Sequence, residues 1–185
     1  KAIKLKPNDS NSYSNLGIIF RDLEKLQEAE QYTRKAIELN PTFENAYANL
    51  GGILLDQGKL KEAEHYTLRA IELKPDFAIA YANHGTILKG LGRLQEAIKA
   101  YERSFELDST NASLLVDLIR TLSIISDWNK VEKYITNLNQ LESEGNVIDP
   151  FKLLHLEDNP EHYLQRAKRF YYKTYRRQSS KINYI

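Results

Sequence analysis

Three asparagines stand at one fixed spacing, Asn15, Asn49 and Asn83, each two positions after a tyrosine (Tyr13, Tyr47, Tyr81), and Asp117 falls on the next step. A carboxamide carries both a donor and an acceptor, so a row of them can pair with peptide units whatever the attached side chains. Asparagine is a poor helix former, and its threefold recurrence at one slot needs a reason beyond tolerance. Other reactive types are dispersed. His65, His155 and His162 have no companions at metal-ligand spacing, and His84 sits where the neighbouring steps carry leucine, so it is expected to be a buried or half-buried core residue. There is no cysteine, no glycine-rich phosphate loop and no nucleophile–base pair. Glu62 and Glu64 are expected on a solvated helix face. The sequence supports binding rather than catalysis, with no cofactor and no metal called for.

The elements that hold those asparagines come from a repeat. The segments Ala2-Ile-Lys-Leu-Lys-Pro7, Ala36-Ile-Glu-Leu-Asn-Pro41 and Ala70-Ile-Glu-Leu-Lys-Pro75 recur every 34 residues. The same step links Gly17, Gly51 and Gly85, and also Ala29, Ala63 and Ala97. A constant period of this length with small residues at fixed slots marks a helical solenoid, each unit two helices that approach closely at the glycine and alanine. Pro41 and Pro75 are expected to stop the second helix of a unit, and Gly58 and Gly92 to break the chain between its two helices. Asn8, Thr42, Asp76 and Thr110 are the expected N-caps. The step carries Leu26, Leu60 and Leu94 on to Trp128, which is therefore expected in the core.

The chain of 185 residues, 42% apolar and 28% charged, can bury a core and is not compositionally disordered. Its 26 basic and 25 acidic side chains nearly cancel, but unevenly. Every acid lies at or before Glu161, so the first 161 residues carry −6 and the last 24 carry +7. No apolar run reaches membrane-spanning length and no signal peptide opens the chain. With no methionine, the sequence reads as a piece of a longer soluble, cytoplasmic protein.

The repeat resembles the tetratricopeptide repeat, whose slots are filled by Tyr13, Leu16, Gly17, Phe20, Ala29, Ala36 and Pro41 in the first unit. Tyr47, Leu50, Gly51, Leu54, Ala63, Ala70 and Pro75 fill them in the second, and Tyr81, Gly85, Leu88, Ala97 and Tyr101 in the third. Thr33 and Thr67 depart from the usual aromatic; His84, Ser104 and Ser109 replace Leu, Ala and Pro. Leu115, Leu118, Leu122, Val131 and Ile135 hold the apolar slots of a degenerate fourth unit. The resemblance implies an all-α fold: a right-handed superhelical solenoid of antiparallel helix pairs, followed by a helical linker. The expected divisions are 1–9 (tail of an upstream repeat), 10–43, 44–77, 78–111, 112–142 (degenerate pair) and 143–185 (linker). It also puts the first helix of every unit on the concave face. The groove would be lined by Asn11, Ser14, Asn15, Ile18 and Arg21, then Asn45, Ala48, Asn49, Gly52 and Leu55. Ile79, Ala82, Asn83, Thr86 and Lys89 would continue it, with Asp117 beyond. The implied partner is a protein or peptide in extended conformation. Relatives that clamp a terminal carboxylate need cations where this sequence has Ser14, Ala48 and Ala82, which disfavours such a ligand.

The C-terminal stretch carries Asp149-Pro-Phe-Lys-Leu-Leu154, then Asn159-Pro160 and Leu164-Gln-Arg-Ala167. A helix is expected from about Pro160 towards Arg176, burying Tyr163, Ala167, Phe170 and Tyr171, then a loop at 178–181 and a strand opening at Ile182. This order resembles the junction of bacterial SPINDLY-like O-GlcNAc transferases (glycosyltransferase family 41). It implies that the groove recruits substrates for the chain's own C-terminal catalytic domain beyond Ile185. The alternative is a stand-alone scaffold. Seven cations interleaved with aromatics also resemble a nucleic-acid or membrane patch. That reading is disfavoured, because the aromatics fall on the face the helix must bury and the rest of the chain is net negative.

Overall fold

The computed structural model describes residues 8–146, 152 and 160–174. The chain divides into two compact units, Lys1–Asp108 and Ser109–Ile185. Among the described residues the structure is all helical, and no helix is long and apolar enough to cross a membrane.

Among the described residues the first unit is a solenoid of three helix pairs: α1 (Ser10–Asp22) with α2 (Leu26–Leu39), α3 (Glu44–Asp56) with α4 (Leu60–Leu73), and α5 (Ala78–Gly90) with α6 (Leu94–Leu107). Between pairs, α2 packs on α3 and α4 on α5, while the first helices form a row, α1 beside α3 beside α5. Small residues allow the close approach within a pair. A Cβ on Gly17 would collide with the Thr33 hydroxyl and lie 3.3 Å from the Ala29 carbonyl oxygen; Gly51 meets Thr67 and Ala63 in the same way. Thr33 and Thr67, fully buried, are thus the short side chains that leave this contact tight. α2 and α4 end two residues before Pro41 and Pro75, as the proline demands. Gly58 and Gly92 take φ of +74° and +77° in the turns inside the second and third pairs, a conformation open to glycine at little cost.

The caps fall one residue later than the sequence suggests. Asp9 caps α1 by accepting from the Ser12 amide at 3.2 Å, whereas the caps of α3 and α5 are Phe43 and Phe77, with no side-chain bond. Packing explains the shift: Phe77 is buried among Ala48, Ala70 and Ala80, and the Lys74 ammonium lies 5.1 Å from its ring centre. Thr42 serves the preceding turn instead, donating its amide (3.1 Å) and hydroxyl (3.0 Å) to the Asn40 side-chain oxygen.

The second unit contains α7 (Ala112–Ile124), α8 (Trp128–Ser143) and α9 (Pro160–Thr174). Asn111 caps α7 through the Leu114 amide at 3.0 Å, where Thr110 was expected to. Leu115, Leu118, Leu122 and Val131 are buried and Ile135 is half-buried. Trp128 is not core: it is 54% exposed. Its counterparts Leu26, Leu60 and Leu94 are themselves only half-buried, because the first residue of each second helix lies at the edge of its pair. α9 buries an arginine that the sequence had not marked. Arg166 donates from Nε and Nη2 to the two Glu142 carboxylate oxygens at 2.6 and 2.8 Å, and both residues are buried. Ala167 and Phe170 are half-buried and Tyr171 is 61% exposed. The upstream segment 1–7, the Pro150-Phe-Lys-Leu-Leu154 motif apart from Lys152, the Tyr163 side chain, and the loop and strand beyond Thr174 lie outside the described residues.

Candidate functional site

The row α1, α3, α5 carries the asparagines, and the rungs touch one another. Asn49 donates its side-chain amide to the Ser14 hydroxyl at 3.0 Å, and Asn83 donates to the Ala48 carbonyl oxygen at 3.1 Å. Each amide therefore bonds the helix one unit earlier, and Asn49 and Asn83 are half-buried rather than exposed. Only Asn15, with no described first helix before it, is exposed. The Oδ1 atoms of Asn49 and Asn83 have no hydrogen-bond partner among the described residues and are not buried, so they remain open acceptors.

Several expected rungs lie beneath the surface. Ser14 is 2% and Ala48 1% exposed, and Gly52 is buried too; these small residues form the contact between neighbouring first helices and cannot line a groove. Gly52 is covered by Arg21, whose Nη1 would lie 3.0 Å from a Cβ there. Arg21 in turn donates from Nε to Asp56 at 2.5 Å, a partner the sequence did not reveal. Thr86 is occupied, donating to the Ala82 carbonyl and accepting from the Tyr101 hydroxyl, both at 3.1 Å. Lys89 lies 5.9 Å from the Tyr101 ring centre. Asn11, Asn45, Ile18 and Ile79 stand exposed, while Leu55 and Ala82 are half-buried. The Arg21–Asp56 pair cancels charge, so this face offers mainly amide and aliphatic groups. Asp117 belongs to α7 of the second unit and is half-buried; its backbone carbonyl accepts from Thr121 at 2.7 Å.

Away from the asparagines, a polar cluster joins the second and third pairs. His84 Nε2 is buried, lies 3.7 Å from Glu64 and makes no hydrogen bond. Burial pushes the imidazole below its ordinary range, and the facing carboxylate only partly offsets this. Glu64 is half-buried rather than solvated. It accepts from Arg93 at 2.6 Å, and the Arg93 guanidinium also grips Glu96 and holds that carboxyl below its usual range. Glu62 is exposed, as expected. Lys59 to Glu30, at 3.0 Å, is the equivalent bridge one unit earlier. The shared 34-residue step of Glu30 with Glu64 and Lys59 with Arg93 was the signal available for it. No group of three or more acidic or histidine side chains among the described residues is arranged to hold a metal ion.

Sequence-family comparison matches residues 10–43, 32–65 and 78–111, each to a tetratricopeptide repeat. No curated protein matches the chain in sequence. Solved structures are similar in fold. PilF of Pseudomonas aeruginosa is 18% identical with a TM-score of 0.73, the match covering 97% of this chain and 86% of that one. MamA of Desulfovibrio magneticus RS-1 is 22% identical at 0.67, over 78% and 81%. YrrB, described as a TPR protein with an unusual peptide-binding site, is 17% identical at 0.64, over 92% and 89%.

Proposed function

The chain is a tetratricopeptide-repeat protein, and from that premise we propose that the row α1, α3, α5 binds an extended polypeptide by its backbone. One observation carries the reading: exposed Asn11, Asn15 and Asn45, with the open oxygens of Asn49 and Asn83, recur along one face together with Ile18 and Ile79. Amides at a repeated spacing suit peptide units, and the isolated aliphatics suit small apolar side chains. The fold likeness to YrrB, itself described as peptide-binding, supports the same class of ligand. Asn15 makes no hydrogen bond among the described residues, and Asn45 makes only a 3.4 Å contact to its neighbour Glu44, so both can be removed without loosening the pairs. Changing both to alanine is expected to weaken capture of uncharged, unstructured peptides several-fold at an unaltered melting temperature. Unchanged affinity, or no binding of such peptides by the unaltered protein, would sink the proposal.

The finer reading is that this face recruits substrates for an O-GlcNAc-transferase-like catalytic domain, with repeats at 10–43, 44–77 and 78–111, a degenerate pair at 112–142 and a linker at 143–185. Its support is the Pro150-Phe-x-Leu-Leu154 junction followed by Asn159-Pro160 and Leu164-x2-Ala167. Sequencing the message past Ile185 tests it. A nucleotide-sugar transferase domain in frame is the expected result; a stop codon there would leave a scaffold that assembles partners without chemistry.

A further inference from the structure

One slot is filled differently in the third repeat. In the first two, the residue before the buried threonine is Tyr32 or Tyr66. Tyr32 stacks on Phe20 with ring centres 5.1 Å apart and lies 6.3 Å from Tyr13; Tyr66 lies 6.3 Å from Tyr47 and packs on the cluster of Leu50 and Leu54. One step on, the slot holds Ala100, and an aromatic appears one residue later as Tyr101, lying over Gly85. The ring is displaced, not replaced. A cleft of about 340 Å³ opens between α5 and α6, lined by Tyr81, His84, Leu88, Glu96, Lys99 and Ala100. Those six positions lie one 34-residue step after Tyr47, Leu50, Leu54, Glu62, His65 and Tyr66. The cleft is therefore the Tyr66 slot without its ring.

We propose that this cleft docks an aromatic side chain of a partner protein, a phenylalanine in particular. The shape argument is internal to the molecule, since the same frame holds a six-membered ring against a tyrosine and a leucine in the second repeat. Tyr81 and Leu88 supply those walls here, and ring-on-ring contact adds to the area buried. The preference for a ring without a hydroxyl follows from the loss of one donor at the rim, where Glu96 and Lys99 are the charged groups that remain. In the second repeat the Tyr66 hydroxyl accepts from Arg34 at 2.7 Å, with the guanidinium 5.1 Å from the ring centre. The residue one step after Arg34 is Leu68, 40% exposed, so the third slot has an aliphatic side chain where the second has the donor. Tyr81, His84 and Leu88 share one side of α5 at helical spacing, and Asn83 and Thr86 lie on the other, so the site is independent of the asparagine row.

The probe is N-acetylphenylalaninamide, titrated into the 185-residue protein and followed through backbone amide shifts, with N-acetylleucinamide as the aliphatic control. Saturable shifts centred on Tyr81, His84 and Ala100 are expected, with the leucine analogue several-fold weaker. Ala100→Tyr fills the slot from within, as the first two repeats do; it should raise the melting temperature and weaken the probe by roughly tenfold or more. Ala100→Leu is a smaller filling and should weaken the probe less. The absence of saturable shifts, undiminished probe affinity in a folded Ala100→Tyr protein, or equal binding of the leucine analogue would each overturn the proposal.

Discussion

In the second repeat Gly51 faces Thr67, and in the third Gly85 faces Tyr101; the exchange runs through three neighbouring slots, Leu50 to His84, Tyr66 to Ala100 and Thr67 to Tyr101. The helices themselves hardly respond. α3 and α5 have the same length, as do α4 and α6, and the turn glycines of the two pairs agree in φ within a few degrees. The glycine is needed in both repeats for different reasons. A Cβ on Gly51 would meet Thr67 and lie 3.3 Å from a backbone oxygen, whereas on Gly85 it would strike the Tyr101 ring at 2.5 Å. Backbone approach fixes the frame, and side chains then divide the remaining space. The third repeat divides it less completely, with an open cleft where the second repeat is filled, although each repeat holds an unbonded buried polar atom, Thr67 Oγ1 in the second and His84 Nε2 in the third.

The most forceful way to break this contrast is to impose the third filling on the second repeat. Tyr66→Ala removes a half-buried ring that packs on Leu50 and Leu54, together with the acceptor for Arg34. A loss of about 2 kcal/mol is expected, below the range for fully buried rings because part of this one is in solvent. Urea unfolding measures it. A cost near zero would mean that the ring lies on the repeat without supporting it, and the two fillings would then be equivalent.

The converse change, His84→Leu, restores the leucine of the second repeat. Nε2 is buried without a hydrogen bond, so an apolar side chain should stabilise the fold by about 1 kcal/mol at neutral pH. The pH dependence sharpens the test. Burial holds the folded imidazole below its ordinary 6.5, so below that pH the unfolded chain takes up a proton that the folded one refuses. Stability is therefore complete above 6.5 and falls as the pH drops through 6.5 towards the folded value. The variant lacks this term, and its advantage should widen from pH 7 downwards. An advantage that narrows would show Glu64, 3.7 Å away, bridging an imidazolium more strongly than burial opposes it.

The sequence makes the frame legible because the frame is a matter of backbone. Gly17, Gly51, Pro41, Pro75, Gly58 and Gly92 each state a constraint that holds wherever the period is seen. Placement within a unit was legible to about one residue, and at Phe77 the cap differs because burial of a ring outweighs cap preference. What an individual polar side chain faces was much less legible. Asn49, Ser14 and Ala48 share one periodicity, but spacing alone does not separate an amide turned to a ligand from one bonded to the helix before it. Arg166 shows the same limit in the second unit. It is one of seven late cations with nothing in the spacing to set it apart, and its partner Glu142 lies 24 residues earlier on another helix.

The smallest expected effects bear on those asparagines. In the second repeat, Asn49 donates to the hydroxyl of Ser14, which is 2% exposed; Asn49→Ala leaves that buried oxygen without its donor. In the third, the acceptor is the Ala48 carbonyl, already engaged within its own helix, so Asn83→Ala leaves nothing newly unsatisfied. Each substitution also gains a few tenths of a kcal/mol of helix propensity. Asn49→Ala should therefore cost about 1 kcal/mol and Asn83→Ala about 0.5 kcal/mol or less, while Asn15→Ala should cost nothing. Unfolding midpoints of the three single variants give the order. If all three were neutral, the bonds at 3.0 and 3.1 Å would contribute nothing to stacking, and the amides would be free to serve a ligand alone. If the order holds, the two inner asparagines join their repeats through the amide hydrogens and present only their oxygens to a bound chain. Binding should then depend more on Asn15 and Asn45 than on Asn49 and Asn83.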